Sequence, residues 1–112
     1  MATGANPDGA AGVAVVAFVP DLMDQSRVRA ALPHVTFARA PDQAAGAAVV
    51  LVDLTRFVGR LGEIRAASSA RIVAFGPHVD DVLLAEARAA GADVVMARSR
   101  FFRDPAAAVT GA

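Results

Sequence analysis

Cysteine and lysine are both missing from this chain of 112 residues, so its basic residues are all arginine. The lack of cysteine excludes disulfides, thiolate catalysis and cysteine-based zinc or iron–sulfur sites, and we expect no redox chemistry from the chain itself. Acidic and basic residues balance to a formal net charge of zero, which gives little attraction to nucleic acid or to acidic membranes. We therefore expect neither nucleic acid nor a membrane as a partner.

Long apolar segments free of charge and proline are missing too, although 55% of the residues are hydrophobic. The first apolar run, at positions 13–19, is followed at once by Pro20 and Asp21 and is too short to span a membrane. No segment combines a basic start, an apolar stretch and a small-residue cleavage site. We expect a cytoplasmic location.

Length and composition predict one globular domain over residues 13–112, preceded by a disordered tail at 1–12 that is rich in Gly and Ala. Short runs rich in Val and Phe indicate strands, and stretches with helical periodicity follow them. The predicted strands cover residues 13–19, 35–39, 48–53, 71–75 and 93–97.

Capping residues delimit several of the predicted helices. Asp21 can accept the free amides of a first helix that Pro33 stops. A short helix is predicted at 42–47, a longer one near 57–64, and a last one at 104–109.

The clearest helix follows Pro77 and ends before Gly91. Its apolar stripe consists of Val79, Val82, Leu83, Ala87 and Ala90. Leu84 lies roughly 120° around the helix from the centre of this stripe, so we expect it to face solvent. Phe101 and Phe102 are adjacent and cannot both point inward on a regular element, so one of them is expected to join Leu84. Such an exposed patch would serve a homodimer or a partner protein.

Alternation of strand and helix five times, with right-handed crossovers, favours a five-stranded parallel sheet with helices on both faces. We therefore predict a doubly wound α/β fold, a three-layer sandwich of the flavodoxin-like type. Flavodoxins and cobalamin-binding domains share this plan, so architecture alone does not select a function. The chain lacks the Thr/Ser-rich phosphate loop of flavodoxins and the Asp-x-His-x-x-Gly motif of cobalamin domains.

Two runs of sequence resemble receiver domains, the CheY-like modules of bacterial two-component signalling and phosphorelays. The run AVVLVDL at 48–54 is similar to the third strand of receivers, and the resemblance implies that Asp53 is the phospho-acceptor position. The run AGADVVMARS at 90–99 resembles the Gly-Ala-Asp turn and fifth strand, which in receivers end in a Lys-Pro pair. The similarity extends over about residues 13–105.

Other features of the receiver pocket are altered or missing. Receivers hold Mg²⁺ with two acidic residues after the first strand and the acceptor aspartate, whereas here only Asp21 and Asp53 would be available. Gly76 and Pro77 stand where receivers have the Thr or Ser that binds the phosphoryl group, and Arg98 replaces the lysine. The resemblance therefore implies a pseudo-receiver, for which we expect no cofactor.

Ligands of open parallel sheets bind beyond the carboxyl ends of the strands. The predicted pocket residues at this edge, around Asp53, are Asp21, Thr55, Gly76, His78, Arg98 and Ser99. Structural roles are the alternative: Asp21 and Asp53 can cap helices, and Arg98 can pair with Asp53. Arg98 and Arg100 can also hold a phosphate or another anion.

Two other chemistries fit these residues less well. Ser99, His78 and Asp53 share one edge, but the serine lacks a G-x-S-x-G elbow and a clear oxyanion hole. A metal site from His78, Asp80 and Asp81 would need close neighbours on one helix to converge. We expect no enzymatic activity.

Three functions remain open. The first is a stand-alone receiver-like signalling or protein-interaction module without conventional Mg²⁺-dependent aspartyl phosphorylation, which docks a protein partner or a histidine kinase. The second is a phospho-accepting single-domain response regulator that uses Asp53. The third is a sensor of a small anion at the carboxyl edge of the sheet, with Arg98 and Arg100 as ligands.

Overall fold

The computed structural model describes residues 14–111, and the tail predicted at 1–12 lies outside the described residues. The strands are β1 (Val15–Phe18), β2 (Thr36–Phe37), β3 (Val49–Asp53), β4 (Arg71–Gly76) and β5 (Val94–Ala97). The helices are α1 (Leu22–Ala31), α2 (Leu54–Phe57), α3 (Leu61–Ala67), α4 (Asp81–Ala89), α5 (Arg98–Arg103) and α6 (Pro105–Thr110), with 3-10 turns at Pro41–Ala44 and Val58–Arg60. Within this range no helix is long and apolar enough to cross a membrane.

The five strands run parallel in one sheet with the order β2-β1-β3-β4-β5. This confirms the predicted doubly wound, flavodoxin-like fold. Asp53, the last residue of β3, pairs with Phe75 of β4, and Val52 pairs with Phe18 at the end of β1. Because the chain order reverses between β1 and β3, their carboxyl ends form the crevice in which such sheets bind ligands.

Side chains of the central strands alternate between two apolar clusters, one on each face of the sheet. The cluster on one face includes Phe18, Val52, Leu61 and Ile64. The cluster on the other face includes Val28, Leu51, Phe75 and Phe101. Burial on both faces explains why β1, β3 and β4 appear as nearly continuous apolar runs in the sequence.

Two predicted elements are shorter than expected. The helix predicted at 42–47 is the 3-10 turn Pro41–Ala44, and Gly46 just beyond it has a φ of 81°, which a right-handed helix does not contain. The helix predicted near 57–64 is divided, because the turn Val58–Arg60 separates α2 from α3. The two helices nevertheless bury one face of this segment, since Phe57 and Ile64 both belong to the core.

α4 buries a narrower stripe than the sequence predicts. Leu83, Ala87 and Ala90 pack toward the core, but Val82 is 77% exposed, so its predicted place in the stripe is wrong. Val82 lies about 100° around α4 from its neighbour Leu83, which packs against the core, so Val82 is turned away from the sheet. Leu84, which was expected to face solvent, is half-buried.

β5 leads directly into α5, a helix that the sequence analysis does not predict. Phe101 is fully buried, and its ring stacks on Phe75 with the centroids 4.4 Å apart. Phe102 lies about 100° further around the helix, is half-buried, and meets the Phe75 ring edge-on. The prediction that Phe101 could form an exposed patch with Leu84 is therefore wrong, because α5 turns Phe101 into the core.

Two arginines at the amino edge of the sheet donate hydrogen bonds to backbone carbonyls. Arg65 of α3 donates to three backbone carbonyls, including that of Gly91, and to the Asp93 carboxylate. Arg71 donates to two carbonyls in the last turn of α6. These contacts tie helix ends to the sheet, so Arg65 and Arg71 stabilise the fold.

Candidate functional site

Asp53 is the last residue of β3, lies at the crevice and caps the helix that follows it. It is 5% exposed, and its Oδ1 accepts a hydrogen bond from the Thr55 amide at 2.9 Å. This contact makes Asp53 the N-cap of α2, so the capping role predicted for it is confirmed. The backbone of the next helix therefore already holds one of its carboxylate oxygens.

Asp21 has the matching role after β1. Its Oδ1 accepts a hydrogen bond from the Asp24 amide at 2.9 Å, which makes Asp21 the N-cap of α1 and confirms that prediction. The side chain is exposed. The two caps lie at the carboxyl ends of neighbouring strands, so both acids border the crevice.

Asp24 and Arg98 form the dominant polar contact of this edge. The two guanidinium Nη atoms of Arg98 lie 2.8 and 2.5 Å from the two carboxylate oxygens of Asp24. The Asp24 side chain is 7% exposed and that of Arg98 is 34% exposed. Two parallel charge-assisted hydrogen bonds fix both the distance and the plane of the pair.

The predicted direct pair between Arg98 and Asp53 is wrong. Arg98 is the first residue of α5, and α5 packs on the same face of the sheet as α1. From that position its guanidinium reaches the buried acid of α1 and uses both terminal nitrogens there.

Charge nevertheless links Arg98 to the whole acidic edge. The hydrogen bonding that Arg98 donates to Asp24 is the main cause that raises the pKa of Arg98, while partial burial opposes it. The negative charges of Asp24, Asp53 and Asp21 raise this pKa further. The single permanent positive charge of Arg98 neutralises one carboxylate, that of Asp24, and is attracted by those of Asp53 and Asp21.

Few carboxylate oxygens of this edge remain free for a magnesium ion. Mg²⁺ takes oxygen ligands in near-octahedral geometry, of which one or two are usually protein carboxylates. Both Asp24 oxygens bind Arg98, and one oxygen of Asp53 and one of Asp21 accept backbone amides. Across residues 14–111, no group of three or more His, Cys, Asp or Glu side chains is placed to hold a metal ion.

The other predicted pocket residues are spread along the edge. Gly76 is buried at the end of β4, where a Cβ would meet Leu54 and Leu83 at 3.6 Å, an ordinary contact distance. His78 is exposed in the loop before α4, and Asp80, not His78, caps that helix. Thr55 is exposed and contributes its amide to Asp53.

Two of the predicted pocket residues, Arg98 and Ser99, line a cleft of about 390 Å³. The cleft is lined by Arg27, Pro77, Arg98, Ser99 and Phe102. Arg100 is exposed on α5 and does not line it. Arg27 therefore lines this cleft together with Arg98, whereas the prediction paired Arg98 with Arg100 as anion ligands.

Neither Asp24 nor Arg27 is among the pocket residues predicted from the sequence. One signal was available for Asp24: it lies four residues before Val28, so it shares the face of α1 that packs on the sheet. An acid on a buried face needs a cation. Nothing in the local pattern distinguishes Arg27 from the other exposed arginines.

Exposed apolar side chains gather at the same edge. Leu22 and Met23 are each 78% exposed and Val82 is 77% exposed, the three strongly exposed large apolar residues within 14–111. Leu22 and Met23 begin α1 after β1, and Val82 lies in the first turn of α4 after β4. Because β1 and β4 flank β3 in the sheet, the helices that carry these side chains follow the two strands on either side of the one that ends at Asp53.

No protein-family model matches the sequence, and no curated protein matches it. Among solved structures, the chain is similar to the crystal structure of a response regulator CheY-like protein from Mesorhizobium loti. The TM-score is 0.62 and the sequences are 16% identical, with 88% of this chain and 97% of that chain covered. At this identity the likeness shows the fold, and the fold is receiver-like.

Proposed function

We propose that this protein is a receiver-like signalling module that acts by docking a protein partner at the carboxyl edge of its sheet, without Mg²⁺-dependent phosphorylation of Asp53. The observation that carries the proposal is the placement of Leu22, Met23 and Val82 at that edge. Large apolar side chains grouped beside a polar crevice are typical of interaction sites. A histidine kinase, another protein of the pathway or a second copy of the chain are the partners that a receiver-like fold suggests.

Docking would bury the apolar residues on both sides of the crevice. Leu22 and Met23 come from α1, and Val82 comes from α4, which packs on the opposite face of the sheet. A partner that contacts both helices must therefore cover the end of β3 between them. Asp53, which ends that strand, would lie beneath the interface.

The ion pair supports the absence of phosphorylation. Aspartyl phosphorylation in receivers needs a divalent cation beside the acceptor carboxylate, because the incoming phosphoryl group is anionic. Here Arg98 is already paired with Asp24, and Gly76 offers no hydroxyl to a phosphoryl group. The module would therefore signal through the binding of a partner and not through its own chemistry.

Intact-mass measurement after incubation with acetyl phosphate and Mg²⁺ tests the second half of this proposal. We expect an unchanged mass for the wild-type protein. A stable gain of one phosphoryl group that disappears in Asp53→Asn would overturn it and establish the phospho-accepting response regulator instead.

Affinity capture with the immobilised protein tests docking. We expect the wild-type protein and Ala30→Glu to retain the same partner, and Met23→Glu to lose it. Ala30 is an exposed residue of the same helix, about 10 Å further along α1 at 1.5 Å per residue, so it is the matched control. Equal retention by Met23→Glu would show that the apolar edge is not the docking surface. Sedimentation of the same variants measures self-association and so tests whether a second copy of the chain is the partner.

A further inference from the structure

The cleft at the carboxyl edge is lined by groups of two kinds. Arg27, Arg98 and Ser99 present charge and a hydroxyl, whereas Pro77 and Phe102 present apolar surface. No carboxylate belongs to the lining, so the wall is cationic. A ligand that fits these walls must combine a negative group with an apolar body.

The guanidinium groups of Arg27 and Arg98 both lie over the Phe102 ring. The guanidinium carbon of Arg27 lies 4.3 Å from the centre of the ring, and that of Arg98 lies 4.7 Å from it. A guanidinium that places its face on an aromatic ring keeps its N–H groups at the rim, where they can donate to an oxyanion. Phe102 thus restricts Arg27 before any ligand arrives, which lowers the entropic cost of binding.

The two arginines differ in how much of their charge remains available. Arg98 is neutralised by its two-pronged pair with Asp24. Arg27 forms no salt bridge among residues 14–111. Of the two arginines in the lining, Arg27 is therefore the one without an ion-pair partner within 14–111, while Asp21 and Asp53 act on Arg98 from outside the lining.

We infer that this cleft binds a small organic oxyanion, a carboxylate or phosphate monoester attached to an apolar ring or chain. Its anionic group accepts hydrogen bonds from Arg27 and from the Ser99 hydroxyl. Its apolar part packs against Pro77 and against the part of the Phe102 ring that the two guanidinium groups leave uncovered. A volume of about 390 Å³ lies toward the lower end of ligand pockets, which limits the ligand to a small molecule. The cleft borders the docking edge proposed above, because Arg27 lies one helical turn after Met23, but none of the three apolar docking residues belongs to its lining.

NMR titration of the isotopically labelled protein tests the inference with named probes. Benzoate and phenyl phosphate each present an oxyanion on a ring, benzamide is the neutral counterpart of benzoate, and inorganic phosphate lacks the ring. We expect saturable shifts of the Ser99 and Phe102 amides with benzoate, phenyl phosphate or both, and the better binder identifies the head group. Equal binding of benzamide would overturn the role of charge, and equal binding of inorganic phosphate would overturn the organic ligand.

Arg27→Gln and Arg29→Gln are a matched pair for the same titration. Both arginines are exposed on α1 and both lie over a phenylalanine, but Arg29 lies 5.0 Å from the Phe37 ring, away from the cleft. Loss of a charge-assisted hydrogen bond should weaken binding at least about tenfold in Arg27→Gln and leave it unchanged in Arg29→Gln. Equal affinities of the two variants, or no saturation of the wild type up to about 10 mM, would refute the site. Ser99→Ala, with an exposed side chain, gives a second variant that preserves the fold.

Discussion

Asp24 and Arg98 are 74 residues apart in the chain, yet their side chains meet in a two-pronged ion pair. The pair joins the first turn of α1 to the first residue of α5, on one face of the sheet. It therefore ties together two helices that border the candidate cleft, and it occupies both carboxylate oxygens of Asp24 and both terminal nitrogens of Arg98.

A double-mutant cycle measures this pair. Asp24→Asn and Arg98→Met should each lower the free energy of unfolding by about 1–3 kcal/mol, because each leaves a partner uncompensated. The range lies below that of a fully buried pair, since Arg98 is 34% exposed and water screens it. The double variant should lose clearly less than the sum in urea unfolding. Losses that add to within about 0.5 kcal/mol would contradict the pairing.

Asp53 should respond to substitution as a helix cap does. Asp53→Asn keeps a side-chain oxygen for the Thr55 amide, so we expect it to change the free energy of unfolding by less than about 0.5 kcal/mol. Asp53→Ala removes the acceptor and should cost about 1 kcal/mol. Thermal or chemical denaturation of the two variants side by side decides the matter. If alanine were tolerated as well as asparagine, the cap would contribute nothing.

The two adjacent phenylalanines should differ in their contribution to stability. Phe101→Ala leaves a cavity beside Phe75 and should lower the free energy of unfolding by about 3–5 kcal/mol. Phe102→Ala, at a half-buried position, should cost about half as much. Urea unfolding of both variants provides the comparison. The reverse order would mean that α5 is rotated relative to this structure.

Two glycines offer a matched test of backbone conformation. Gly91 has a φ of 117°, and a Cβ there would lie 2.5 Å from the Arg65 side chain, so Gly91→Ala should destabilise by about 1–3 kcal/mol. Gly62 is a helical residue with nothing within 4 Å of its Cβ position. Gly62→Ala should stabilise by about 0.5–1 kcal/mol, since alanine favours the helix. Melting temperatures that shift in the same direction for both variants would refute this assignment.

Local sequence patterns predicted most of the architecture, because their causes act within a few residues. Asp21 and Asp53 cap the helices that immediately follow them, and each cap uses the amide of a residue two or three positions away. The apolar runs predicted the buried strands for the same reason, since two covered faces leave no polar positions. Errors appeared where a short helix had no distinctive pattern, as in α5, and where the first turn of α4 left Val82 uncovered.

By itself, the sequence determined the fold class and the order of its elements, because side-chain periodicity and caps specify each strand and helix locally. It also determined that aspartates follow β1 and β3, at the crevice of a doubly wound sheet. Only the tertiary structure decided which charges meet there. Arg98 could pair with any acid at the edge, and the packing of α5 beside α1 placed it on Asp24 instead of Asp53. The same packing brought Arg27 and Phe102 into one cleft, since contacts between distant segments depend on how helices seat on the sheet and leave no local signature.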